Sequence, residues 1–228
     1  MIEIKTKTEF LDDEIKETIS KSNSVMQTCA NIQQQVLTKK DQALVELTKQ
    51  FDKVTLTDLV VSKKEIDTAK KAVSQDVIEA LTIAKENITT FHENQLPYDW
   101  EEDLDNGNQY GMQYNPIEKA GLYVPGGQAL YPSTVLMNAI PAKLAGVSQL
   151  IMTTPPQKNG QIATEVLVAA DICNVDTIIK VGGAQAIFAL AYGTESVPKV
   201  DKIVGPGNIY VDQAKQMVYG QCDIDKPA

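Results

Sequence analysis

At 228 residues, with 43% hydrophobic and 22% charged residues, the chain is long enough to bury a substantial core in one large or two modest domains. Its net charge of −9 argues against nucleic acid as a partner, because no basic stripe offsets the acidic balance, and the absence of arginine rules out a bidentate guanidinium clamp on phosphate or carboxylate. No apolar run approaches a membrane span and the stretch Met1–Glu9 lacks the apolar centre of a signal peptide, so the expectation is a soluble cytoplasmic protein with no membrane partner.

Residues 1–120 read as mainly helical and hold most of the charge, with 14 lysines against 22 acidic residues. Lys40, Leu44, Leu47 and Phe51 mark one face of a helix that ends at Asp52-Lys53, and Ser62-Lys-Lys-Glu65 has the form of a capping box. Val77, Leu81, Ala84, Ile88 and Phe91 recur at helical spacing behind Ser74, a suitable N-cap. His92, the sole histidine, stands one step off this apolar stripe and is read as a structural residue rather than a ligand or base. Asp99–Asn108 reads as an acidic, solvated surface connection, followed by a short strand within Gln109–Tyr114.

From Gly121 the pattern changes to regular alternation. The expected strands are Gly121–Val124, Gln149–Thr153, Thr177–Val181 and Lys202–Val204. Each leads to a helix, respectively Ser133–Ala145, Ile162–Cys173, Ala184–Tyr192 and Ile209–Tyr219, the first with Ser133 or Thr134 as its cap. Short apolar strands alternating with helices of this length predict a parallel sheet in a Rossmann-like, three-layer α/β fold. Three turns rich in glycine fall at expected strand ends: Pro125-Gly126-Gly127, Gly182-Gly183 and Gly205-Pro-Gly207. Such turns let backbone approach a ligand, and the helix starts behind them offer free N–H groups to an anion. The strict G-x-G-x-x-G fingerprint is absent, so spacing alone leaves dinucleotide binding open beside a purely structural turn set. Cys29, Cys173 and Cys222 show no C-x-x-C spacing and read as free thiols.

Gly121-Leu-Tyr-Val-Pro-Gly-Gly127, Val181-Gly-Gly-Ala-Gln-Ala-Ile187 and Asp201-Lys-Ile-Val-Gly-Pro-Gly-Asn208 resemble the histidinol dehydrogenase family, as do Asn87–Gln95 and Ala189–Val200. The resemblance implies an aldehyde-dehydrogenase-like architecture. It also implies NAD- and zinc-dependent oxidation of L-histidinol through histidinal to L-histidine, two NAD molecules being reduced, by a homodimer in histidine biosynthesis. It places Tyr123, Gln185 and Asn208 on NAD, each with a live structural alternative; for Asn208 that alternative is an N-cap. The family's zinc ligands and its glutamate–histidine catalytic pair lie in sequence this chain does not contain, so no catalytic and no metal residue is assigned.

Because the family is nearly twice as long, residues 1–120 are expected to hold a helical arm and an incomplete part of a first α/β domain. Residues 121–228 are expected to form a Rossmann-like NAD-binding domain. The face carrying Val77, Leu81, Ile88 and Phe91 would then be uncovered, and the chain alone inactive. A non-catalytic dinucleotide-binding or assembly module is the alternative. An aldehyde dehydrogenase relative, with Cys222 as the late candidate nucleophile, ranks last.

Overall fold

A computed structural model describes residues 7–126 and 130–226, with the side chains of the first helix from residue 22 onward. Four helices come first: α1 (Lys7–Lys39), α2 (Asp41–Phe51), α3 (Lys63–Ala72) and α4 (Gln75–Glu93). A hairpin of β1 (Trp100–Asp103) and β2 (Gln109–Met112) precedes the alternating part. That part runs β3 (Lys119–Tyr123), α5 (Pro132–Leu144), β4 (Gln149–Thr153), α6 (Thr164–Ile172), β5 (Thr177–Ile179), α7 (Gly183–Tyr192), β6 (Lys202–Val204), α8 (Ile209–Val218) and β7 (Asp223–Ile224).

The five strands β3 to β7 form one parallel sheet in the order β5-β4-β3-β6-β7. The chain steps outward from β3 to β5, then returns to place β6 on the other side of β3. The carboxyl ends of β3 and β6 therefore flank the point where the strand order reverses, the place where open α/β sheets bind ligands. The Rossmann-like α/β fold expected from the sequence is the fold observed.

Side chains alternate between the two faces of the sheet as strand geometry requires. Leu122, Val124, Leu150, Met152 and Ile178 join α5 and α6 in one core; Tyr123, Ile151, Ile179, Val181 and Ile203 join α7 and α8 in the other. The N-terminal helices add an outer layer on each side: α1 packs on α7 and α8, α2 on α7, α3 on α6, and α4 on α5. Leu59–Val61 runs antiparallel along β5, with Val61 N–H donating to the Ile178 carbonyl and Lys180 N–H to that of Leu59, both at 2.8 Å. The Ser62–Glu65 capping box forms at the start of α3, and Glu65 also pairs with buried Lys180 at 2.7 Å. No helix among the described residues is long and apolar enough to cross a membrane.

Three local expectations are corrected. The acidic segment after Asp99 is not a plain surface connection: Trp100–Asp103 pairs in antiparallel register with Gln109–Met112. Helix α5 starts at Pro132, with Tyr131 as N-cap and no side-chain cap from Ser133 or Thr134. Proline at the first helical position supplies the required φ and has no N–H to satisfy. On α4, Leu81 is buried while Val77, Ala84 and Ile88 pack against the core beside α5 and α6, so only Phe91 of that stripe lies open, at 63% exposure.

Candidate functional site

Tyr123 closes β3 and is 4% exposed. Its hydroxyl accepts a hydrogen bond of 3.1 Å from the N–H of Gly183, the first residue of α7. Burial pushes this phenol above the usual tyrosine range; the Gly183 N–H opposes that rise and the Asp52 carboxylate adds to it. Gln185 stands two residues further along α7 at 2% exposure, and its carboxamide makes no hydrogen bond among the described residues. It folds back over the helix start, where a Cβ added to Gly183 would lie 2.8 Å from Gln185 Oε1. Asn208 is exposed and caps α8, its Oδ1 accepting from the N–H groups of Tyr210 at 3.0 Å and Val211 at 3.1 Å. The N-cap role raised from sequence is thus real, and the amide nitrogen is left over for another partner.

These three side chains line one cavity of about 440 Å³ at the carboxyl ends of the strands, a volume suited to a small ligand or part of a larger one. Two of the expected glycine turns shape it. Gly182 and Gly126 both press on the ring of Pro155, where an added Cβ would lie 2.6 Å and 2.5 Å from the nearest ring atom. Gly205 sits at φ +116°, and a Cβ there would meet the Tyr123 carbonyl oxygen at 2.1 Å, so only glycine permits β6 to leave the sheet this close to β3. Gly127 lies outside the described residues.

The opposite wall is one that sequence reasoning missed. Thr28 and Ile32 of α1, Phe51 at the end of α2, and Asp52 behind it face the same cavity. Asp52 is half-buried, and its Oδ2 is shielded from solvent with no hydrogen-bond partner among the described residues. Burial holds its carboxyl above the usual range. A second cavity of about 790 Å³ adjoins through Asp52, Pro125, Gly126 and Pro155, and carries Lys158 on its wall. Among the described residues no lysine, arginine or histidine lines the first cavity. The available signal was the helix end at Phe51-Asp52-Lys53, but only long-range packing of α2 brings it to the strand ends.

His92 lies outside both cavities, in the last turn of α4, its Nδ1 bonded to Gln95 Oε1 at 2.7 Å and its ring edge-on to Phe91. Among the described residues no group of three or more His, Cys, Asp or Glu side chains is placed to hold a metal ion, so nothing here fits zinc. All three thiols are buried, and burial pushes each up to about 11. Cys222 Sγ donates to the Val200 carbonyl inside the core, which removes it as a nucleophile and with it the aldehyde dehydrogenase reading.

Residues 15–228 match the family model described as histidinol dehydrogenase. A histidinol dehydrogenase of Clostridium acetobutylicum is 51% identical over 212 residues, covering 92% of this chain and 49% of its own length. One from Halalkalibacterium halodurans is 53% identical over 191 residues, covering 84% and 45%. The crystal structure of histidinol dehydrogenase from Elizabethkingia anophelis superposes with a TM-score of 0.86 at 41% identity, covering 89% of this chain and 47% of that one. The chain spans about half the length of the curated relatives it matches.

Proposed function

This chain belongs to the histidinol dehydrogenase family, and we propose that it supplies the NAD-facing wall of an enzyme that oxidises L-histidinol to L-histidine through histidinal. The observation that carries this reading is the Gln185 carboxamide. It is almost wholly buried, without a partner among the described residues, and it faces the cavity shared with Tyr123 and Asn208. An amide with no hydrogen bond among the described residues can pair with a ligand's polar groups without breaking a bond inside the chain.

The donor set fits a dinucleotide. The Gln185 amide offers both a donor and an acceptor to a carboxamide or ribose, and the unmet Asp52 oxygen accepts from a hydroxyl. Tyr123 presents an aromatic face, and the start of α7, which has no side-chain cap, provides backbone N–H groups where no cation among the described residues lines the cavity. NAD, when bound, accepts the hydride that leaves the carbinol carbon. The wall described here orients that acceptor and keeps water from one side of it.

The base that takes the alcohol proton and the ligands for zinc are assigned to the part of the family's length that this chain does not span. Alone, the chain is expected to bind NAD without oxidising histidinol. Residues 121–228 act as the NAD-binding domain, residues 1–120 as a helical arm with part of a first domain, and the complete enzyme works as a cytoplasmic homodimer. A non-catalytic dinucleotide-binding module is the second reading, favoured by a cavity that forms with no metal cluster among the described residues.

Calorimetric titration with NAD tests the proposal. Saturable binding that weakens at least about tenfold in Gln185→Leu, the loss expected when a buried polar contact is removed, supports it. Equal affinity in the variant, or no binding by either protein, sinks it. Steady NADH production from histidinol by the purified chain would overturn the assignment of the acid–base groups elsewhere.

A further inference from the structure

One ion pair, its lysine buried and its carboxylate partly open to solvent, grips Gly205 by both of its backbone polar groups. Lys215, on the inner face of α8 with a side chain 2% exposed, donates from Nζ to the Gly205 carbonyl at 2.5 Å and to Asp225 Oδ1 at 2.6 Å. Asp225 Oδ2 in turn accepts the Gly205 N–H at 2.9 Å. On its other side Gly205 abuts the Tyr123 carbonyl closely enough to exclude any Cβ. The residue is therefore wedged between the backbone of β3 and a charged pair reaching across from α8 and the end of β7. Three residues on stands Asn208, which caps α8 and lines the cavity.

A buried lysine is a poor way to gain stability. Its desolvation roughly cancels the attraction of its partner, and well-packed apolar replacements of such pairs are often neutral or stabilising. What such a pair does supply is directed geometry, here at the junction where β3 and β6 diverge. We propose that Lys215 and Asp225 are positioning residues for the dinucleotide site: they clamp the Gly205–Asn208 turn against Tyr123 and so set the separation of Tyr123 and Asn208 across the cavity. This rests on the reading of that cavity as the NAD site, but the clamp itself is a statement about the turn and is testable without ligand.

The experiment compares the full chain with Lys215→Met and Asp225→Asn by thermal unfolding, amide hydrogen exchange and NAD titration. Lys215→Met is expected to keep its unfolding midpoint close to that of the parent. The amides of Gly205, Tyr210 and Val211 should exchange faster while those of Leu150–Met152 do not change, and NAD should bind roughly tenfold or more weakly, the usual cost of losing a residue that orients a ligand-contacting one. Asp225→Asn should move the same turn amides. A folded Lys215→Met chain with unchanged exchange at the turn overturns the proposal. So does loss of the fold in both variants, which would make the pair a plain element of stability. If the parent chain fails to bind NAD, the functional reading falls and the clamp is decided by the exchange data alone.

Discussion

The molecule contains two kinds of strand pairing, one parallel and buried, the other antiparallel and exposed. In the parallel sheet, Leu122, Leu150, Ile151, Met152 and Ile203 are all at or near zero exposure, because helices cover both faces. In the β1–β2 hairpin all eight residues are exposed, and neither face is buried beneath a helix among the described residues. The hairpin is nevertheless two-sided. Trp100, Tyr110 and Met112 share one face with Glu102, while Glu101, Asp103 and Gln109 occupy the other. Trp100 and Tyr110 meet edge-on at 5.7 Å, and the Tyr110 hydroxyl donates to Glu102. A register of hydrogen bonds therefore forms without a core, held by cross-strand side-chain pairs alone. Two strands with one apolar face are at best marginal by themselves, so the local stability of the two regions should differ widely.

Hydrogen exchange gives that comparison its largest test. Amides of Leu150–Met152 should exchange only through openings that cost a large share of the global stability, typically about 5–15 kcal/mol, whereas those of Trp100–Asp103 should open at little cost. Hairpin amides as slow as those of β4 would show that something covers the apolar face in solution. Substitution sharpens the contrast. Phe188→Ala, in the core beneath α7 at zero exposure, should cost about 3–5 kcal/mol in denaturant unfolding, while Trp100→Ala should cost no more than about 1.5 kcal/mol. Equal losses would place the hairpin inside the cooperative core.

The smallest effect concerns Asp52, where burial raises the folded-state pKa. A carboxyl raised in this way contributes most below its unfolded pKa of about 3.9, and the contribution is lost as pH rises through the folded value. Asp52→Asn should therefore raise the unfolding midpoint slightly at neutral pH, with the gain shrinking as pH falls toward the ordinary aspartate range. A gain that grows on acidification would contradict the unmet burial of this carboxylate.

Much of the fold was visible in the sequence from Gly121 onward, for a physical reason. Strands buried on both faces must be short apolar runs, and parallel strands must be separated by helices, so β4 and β6 fall on the expected residues. The second strand of the hairpin falls within the expected Gln109–Tyr114, but the first escaped because Trp-Glu-Glu-Asp has one large apolar residue in four and sits among turn formers. For the site, the glycine turns marked the strand ends, and Tyr123, Gln185 and Asn208 do converge on one cavity. Phe51 and Asp52 could not be found that way. They reach the cavity only because α2 packs across α7, a contact between residues more than a hundred positions apart that no local pattern records. Pro155 lies two residues past the end of β4 and would have been found by asking what lies at the end of every parallel strand, glycine or not.

The strip Leu59–Val61, laid against β5, also bears on the order in which the molecule can be built. Its partners Ile178 and Lys180 leave the ribosome well over a hundred residues later, so this edge must stay open until then. Closing a chain loop of that span costs roughly 4 kcal/mol in configurational entropy beyond a fixed constant, and nothing repays it until β5 exists. Docking of the strip, with the Glu65–Lys180 contact beside it, is thus a late event, and the helices α1 to α4 wait as loosely tethered pieces for the sheet that gives them a surface.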